Sequence, residues 1–143
     1  MRVAIGSDHA GFQLKRLIAD HLRQQGHEVA DLGTHEETST DYPDRAYAVA
    51  DAIHAGVADV GVLCCGSGQG MAMAANKVAG IRAAVVADPF SARLAKQHND
   101  ANVLCLGQRV VGDGLAIECV DSWLSATFEG GRHQRRVDRI NQR

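Results

Sequence analysis

Aromatic side chains are scarce in this chain: one Trp, two Tyr and three Phe make up 4% of its 143 residues. Its core therefore has to be assembled from Ala, Val, Leu and Ile. Charge of one sign is also lacking. Fifteen Lys and Arg against 17 Asp and Glu leave a formal charge of −2, which excludes a general nucleic-acid footprint and leaves room only for local basic sites. No run of about 18 uncharged apolar residues occurs, so no membrane-spanning helix is expected. The N-terminus meets Arg2 and Asp8 without an intervening apolar core, so no secretory leader is expected. The four cysteines (Cys64, Cys65, Cys105, Cys119) have neither C-x-x-C spacing nor the density of a secreted scaffold, and read as reduced thiols of a cytoplasmic protein. A vicinal Cys64–Cys65 disulfide is disfavoured because strand neighbours point to opposite faces.

What is present is alternation. Short apolar runs at Arg2–Gly6, Glu28–Leu32, Asp59–Cys64, Gly80–Ala87 and Asn102–Leu106 predict strands. Between them, apolar residues at helical spacing predict helices: Leu14, Leu17, Ile18 and Leu22 ending at Gly26, and Tyr47, Val49, Ala50 and Ile53 after Pro43. Further helices are predicted from the glycine loop to about Val78, from Asp88-Pro89 (an N-cap followed by proline in the first turn), and over Leu115–Leu124. The basic tail, about 131–141, predicts a last helix. Strands alternating with helices imply βαβ crossovers. The expected fold is an α/β, Rossmann-like three-layer α/β/α sandwich with a parallel sheet of about five strands, all in one domain over residues 1–143. Ligands on such sheets sit at the carboxyl ends of the strands. That rule singles out Ser7-Asp8-His9, Cys65 to Gly70, Asp88 and Gly107-Gln108-Arg109.

The stretch Cys65-Gly66-Ser67-Gly68-Gln69-Gly70 carries the most chemistry. Backbone N–H groups of a glycine-rich turn point at one spot with no side chains in the way, and a thiol beside them ionises more easily than a free one. The spacing G-x-G-x-G, with Met71 where a third helix-packing glycine belongs, departs from a dinucleotide fingerprint, although Asp88 stands where a ribose-binding acid would. No Lys-Ser/Thr closes the loop, so it is no P-loop, and no arginine closes it, against a cysteine phosphatase. A loop for a small anion or oxyanion remains, beside a rival reading as a non-catalytic nucleotide- or phosphate-binding module.

Other candidates carry two readings each. Cys65 is a buried hydrophobe or a base; Cys64, Cys105 and Cys119 read as core. His98 is a favourable helix C-terminal cap or a catalytic group. Asp8 and His9 open the first helix and also sit at the rim. Arg132 and Arg136, four apart, form a solvated tail or, with Arg109, a phosphate site. No H-x-x-x-H or H-E-x-x-H spacing occurs, and a metal centre would need His9, His98 and carboxylates to converge, so none is expected.

These pieces resemble one family along nearly the whole chain. They are Gly6-Ser7-Asp8-His9-Ala10-Gly11, Thr40-Asp41-Tyr42-Pro43, Cys65 to Gly70, Ala74-Ala75-Asn76-Lys77, and Gly80-Ile81-Arg82-Ala83. Further along come Ser91-Ala92, His98 to Leu104, Gly107 to Gly112, and Glu129-Gly130-Gly131-Arg132-His133. The chain resembles the type B ribose-5-phosphate isomerases, within a wider group that includes the allose-6-phosphate and galactose-6-phosphate enzymes. With Cys65 before the loop and Met71 after it, it is similar to the cysteine-base subclass; Ser67 stands where many members have threonine. The resemblance implies cofactor-independent interconversion of ribose 5-phosphate and ribulose 5-phosphate through an enediolate. It implies Cys65 as base, the turn Gly66, Ser67, Gly68, Gln69 and Gly70 holding the oxyanion, and His98 opening the sugar ring. Asp8 and Tyr42 would bind hydroxyls or ring oxygen, Asn99 would line the sugar site, and His9, Arg109, Arg132 and Arg136 would bind phosphate. It also implies a homodimer or dimer of dimers with sites built across the subunit interface.

Overall fold

The computed structural model describes residues 1–143. Five strands, β1 (Arg2–Ser7), β2 (Glu28–Asp31), β3 (Val60–Cys65), β4 (Ala83–Val85) and β5 (Val103–Gly107), form one sheet in the order β2-β1-β3-β5-β4. Every pairing is parallel. The helices are α1 (Phe12–Gln24), entered through a 3-10 turn at His9–Gly11, α2 (Tyr42–His54), α3 (Gln69–Ala75), α4 (Pro89–Asn99), α5 (Asp113–Leu124) and α6 (Arg132–Asn141).

Strand alternation sorts the core into two layers. Val60, Val62 and Cys64 of β3 enter a layer with Ile18 and Leu22 of α1, Ala92 of α4 and Val120 and Trp123 of α5. Leu63 and Cys65 enter the other, with Val49 and Ala50 of α2 and Met71 and Ala75 of α3. The expected opposite facing of Cys64 and Cys65 is what the structure shows. The single Trp123 is buried, and its indole N–H donates to the Ala101 carbonyl at 3.1 Å, so the aromatic brings no unsatisfied group into the core.

Two predicted elements are too long. β4 covers only Ala83–Val85, because Gly80 and Ile81 are spent on a turn (Ile81 N–H to Val78 O, 3.1 Å) and the Arg82 N–H donates to the Asn102 side chain instead of a strand. As an edge strand, β4 pairs only with β5. α3 ends at Ala75 instead of Val78: Lys77 and Val78 donate back three residues, tightening the last turn. α5 starts two residues before the predicted Leu115, and β3 runs one residue further, to Cys65.

Candidate active site

The order of the sheet decides where a ligand fits. The helix following β3, α3, lies on one face; the helices following its two neighbours, α1 after β1 and α5 after β5, lie on the other. Chains leaving adjacent strands in opposite directions open a crevice at the strands' carboxyl ends, and β3 has one on each side. Cys65 is the last residue of β3 and sits there, buried.

Neighbouring segments press directly on the Cys65 loop, which explains the glycines they carry at the contact. A Cβ on Gly11 would lie 2.4 Å from the Cys64 carbonyl, and one on Gly107 would lie 2.6 Å from the backbone of Ser67. The exit of β5 is zipped to the loop as well: the Gln108 N–H donates to Cys65 O at 2.9 Å and the Arg109 N–H to Gly66 O at 3.0 Å. Gly68 adopts φ +83, a left-handed conformation that glycine takes without strain, and this turn brings its N–H onto Cys65 Sγ at 3.0 Å. The backbone thus sets a donor directly on the sulfur. The Gln69 N–H points to Ser67 Oγ at 3.3 Å.

Around this turn stand the other rim residues. Asp8 accepts from the N–H groups of Ala10 (3.0 Å) and Gly11 (3.1 Å), so it caps the 3-10 turn as the sequence suggested while remaining at the end of β1. His9 Nδ1 accepts from the Thr40 N–H at 3.3 Å; in the neutral ring this leaves the proton on Nε2, a donor available to an anion. The Tyr42 ring covers Gly70, where an added Cβ would approach it to 2.7 Å. The Arg109 guanidinium lies over Gly66, 3.3 Å from the place of a Cβ. Asp88 is a cap for α4, accepting from the Ser91 N–H and hydroxyl at 2.7 Å each, bonds that hold its carboxyl below the usual range. The other three thiols are core: burial pushes Cys64 and Cys105 up, and Cys119 to about 11.

The remaining site residues lie at the other end of the sheet. Cys65 pairs in register with Gly107, whereas His98 and Asn99 end α4 just before β5 begins at Val103. Four residue steps, about 13 Å of strand, separate the two ends. The end of α4 is braced by Arg82, which donates to the carbonyls of Asn99 (3.2 Å) and Asp100 (2.8 Å). α6 packs against α4, with His133 and Val137 buried and Arg132 and Arg136 exposed beside them. The His98 and His133 rings stack at 4.4 Å, only 8° from parallel, and Glu129 Oε2 lies 3.8 and 3.6 Å from their Nε2 atoms. Burial, then the neighbouring His98, holds the His133 ring below the ordinary histidine pKa. Sequence reasoning named His98 and Arg132 but missed His133 and Glu129 as their neighbours. The Glu-x-x-x-His spacing hinted at a Glu129–His133 pair, but nothing local tied either residue to His98.

Within one chain, then, Asp8, His9, Tyr42, Cys65, Gly66, Ser67, Gly68, Gln69, Gly70 and Arg109 gather at the carboxyl rim. His98, Asn99, Arg132 and Arg136 gather at the opposite end. His9 and His98 do not converge. A groove of about 560 Å³ lies away from Cys65, between the α3–β4 connection, Asn99 and Ile140 at the end of α6.

Comparison with known proteins finds relatives along nearly the whole chain. The ribose/galactose isomerase family profile matches residues 3–140. Ribose-5-phosphate isomerase B of Escherichia coli is 54% identical over 139 residues, covering 97% of this chain and 93% of that protein. The structure of ribose-5-phosphate isomerase B from Clostridium thermocellum superposes with a TM-score of 0.98 at 54% identity, over 99% of this chain and 96% of the other. That of the Mycoplasma genitalium enzyme with bound ribulose-5-phosphate gives 0.94 at 48% identity, over 99% and 94%. A sheet that places a cysteine and a glycine turn in the crevice beside β3, together with these likenesses along nearly the whole chain, establishes that the protein belongs to the ribose/galactose isomerase family.

Proposed function

We propose that this chain is an aldose–ketose isomerase interconverting D-ribose 5-phosphate and D-ribulose 5-phosphate through an enediolate, with no organic cofactor. The observation that carries the reading is the Gly68 N–H donating to Cys65 Sγ in the crevice beside β3. A sulfur so placed serves as the base that takes the proton from carbon 2 of the open-chain aldose and returns it to carbon 1. Charge developing on the sugar oxygens meets the Gly66–Gly70 turn, whose Gly68 N–H also lies on Cys65 Sγ, and the Ser67 hydroxyl. Asp8 and Tyr42 hold hydroxyls or the ring oxygen, and His9 and Arg109 hold phosphate.

His98, Asn99, Arg132 and Arg136 reach this crevice from a second copy of the chain. His98 opens the furanose ring by proton transfer, Asn99 lines the sugar, and the two arginines complete the phosphate site with bidentate geometry. The functional unit is accordingly a homodimer, or a dimer of such dimers, working in the cytoplasm. No helix is long and apolar enough to cross a membrane.

The test is turnover in EDTA, with ribose 5-phosphate and allose 6-phosphate compared side by side. Ribulose 5-phosphate should form, and faster than the six-carbon product. No turnover of either sugar defeats the proposal, and preference for allose 6-phosphate defeats its substrate.

A further inference from the structure

Arg82 has no part in the proposed chemistry, yet every nitrogen of its guanidinium is engaged. Nε donates to the carbonyls of Asn99 (3.2 Å) and Asp100 (3.1 Å). Nη1 donates to Gly80 O at 3.2 Å and to Asn141 Oδ1, at the end of α6, at 3.0 Å. Nη2 donates to Asp100 O at 2.8 Å and to the Asp100 carboxylate at 3.3 Å. The root of the arm is fixed as well. The Arg82 N–H donates to Asn102 Oδ1 at 2.8 Å, and its carbonyl accepts from the Asn102 N–H at 3.1 Å. Charged, forked and only 14% exposed, this side chain lies where the end of α4, the end of α6 and the entry to β4 meet.

Asp100 supplies an independent observation. It is the one non-glycine residue with positive φ, at +46, in the position after α4 where helices commonly turn left-handed on glycine. An L side chain holds that conformation only where its surroundings over-determine it. Here they do. Lys96 Nζ donates to the Asp100 carboxylate at 2.5 Å, while Arg82 grips carboxylate and carbonyl together. The turn stops α4 directly after His98 and Asn99. A plain helix cap needs only a cation near the last carbonyls. Arg82 also ties those carbonyls to α6, which carries Arg132, His133 and Arg136.

We propose that Arg82 is a positioning residue for the ring-opening half of the site. It touches no substrate atom; with Asp100 it sets where His98 and Asn99 stand and how α6 docks beside them. Its effect on turnover rests on the isomerase reading above; its effect on the two stacked rings does not.

The experiment centres on Arg82→Lys, which keeps the charge but cannot span Asn99, Asp100, Gly80 and Asn141 with a single nitrogen. The first arm is proton NMR of the full-length protein at a pH that leaves the imidazoles neutral. The C2–H signals of His98 and His133, identified by their loss in His98→Asn and His133→Phe, should lie upfield in the wild type because the rings stack. In Arg82→Lys both should move towards the position of a free imidazole, with the circular dichroism spectrum unchanged. The second arm is turnover of ribose 5-phosphate. The variant should lose roughly 10²-fold, the scale of displacing a working group by about 1 Å. Refolded together with Cys65→Ala, it should recover about a quarter of wild-type activity, since about half the dimers are mixed and each of these has one intact site. Refolded with His98→Asn, it should recover nothing. Asp100→Asn, which still accommodates the left-handed turn, should reproduce the pattern with a smaller loss. Unshifted ring signals, wild-type turnover, or recovery with His98→Asn overturns the proposal. Recovery with neither partner, in both variants, makes Arg82 a general folding residue and overturns it as well. If the wild type turns over no sugar phosphate, or Cys65→Ala and His98→Asn do not complement each other, the isomerase or shared-site reading falls instead, and the ring signals alone decide the role of Arg82.

Discussion

The two ends of this sheet are built by different means. At the carboxyl rim the working atoms are mostly backbone: N–H groups of a glycine turn, locked by Gly11 and Gly107 at contact distance and by hydrogen bonds from the β5 exit. At the amino end they are long side chains on two helix segments, His98 on α4 and Arg132 and Arg136 on α6, held by stacking and by Arg82. The first end is rigid and shaped for developing charge. The second suits gripping a phosphate and moving a proton at a sugar oxygen. One chain carries the two groups at opposite ends of its sheet, and the function proposed above joins them by bringing two chains together.

That contrast is broken most severely at the rim. Cys65→Ala should lower turnover about 10²–10⁴-fold, the scale of losing a positioned base, with an unchanged circular dichroism spectrum. Retained activity would remove Cys65 from the chemistry. The separation of the halves is sharpened by mixing. Cys65→Ala and His98→Asn, each inactive on the cyclic sugar, should complement when unfolded and refolded together. Random pairing makes half the dimers mixed, and each mixed dimer has one intact site of two, so about a quarter of wild-type activity should return. No recovery would place both residues of a site in one chain. His98→Asn alone should depress turnover of the cyclic substrate more than that of an open-chain aldose phosphate, and equal losses would deny it a ring-opening role.

Smaller effects test how each end is held. Gly107→Ala drives a methyl into the Ser67 backbone and should cost about 1–3 kcal/mol of stability, read from denaturant midpoints, along with much of the turnover. At the other end, His133 has a folded pKa below its unfolded one, first through burial and then through His98. The unfolded chain therefore takes up a proton before the folded one. Stability should hold above about pH 6.5 and decline as the pH falls through the lower folded value. His133→Phe should flatten that decline, and an unchanged slope would assign it to other groups.

Much of the rim was legible in advance because its signals are local. Asp88-Pro89 announced the start of α4, and both the side-chain bond to Ser91 and the helix followed. Alternation along β3 set Cys64 and Cys65 on opposite faces. The overlong β4 shows the limit. Ile81 and Arg82 are as apolar or extended-seeming as a strand needs, but Asn102, 20 residues later, captures the Arg82 N–H. The His98–His133 stack was equally out of reach, since it depends on how α6 docks on α4, a contact across 35 residues that no periodicity encodes.

By itself the sequence determined the succession of strands and helices, the helix starts, and the glycine turn after a thiol, because near-neighbour sterics and backbone hydrogen bonding decide these within a few residues. Only the tertiary structure decided that β5 lies beside β3, seating Gly107 against Ser67 and Arg109 over Gly66, and that His98 faces away from Cys65. Strand order and helix docking follow from which apolar faces bury one another, and that choice is made by the whole chain at once.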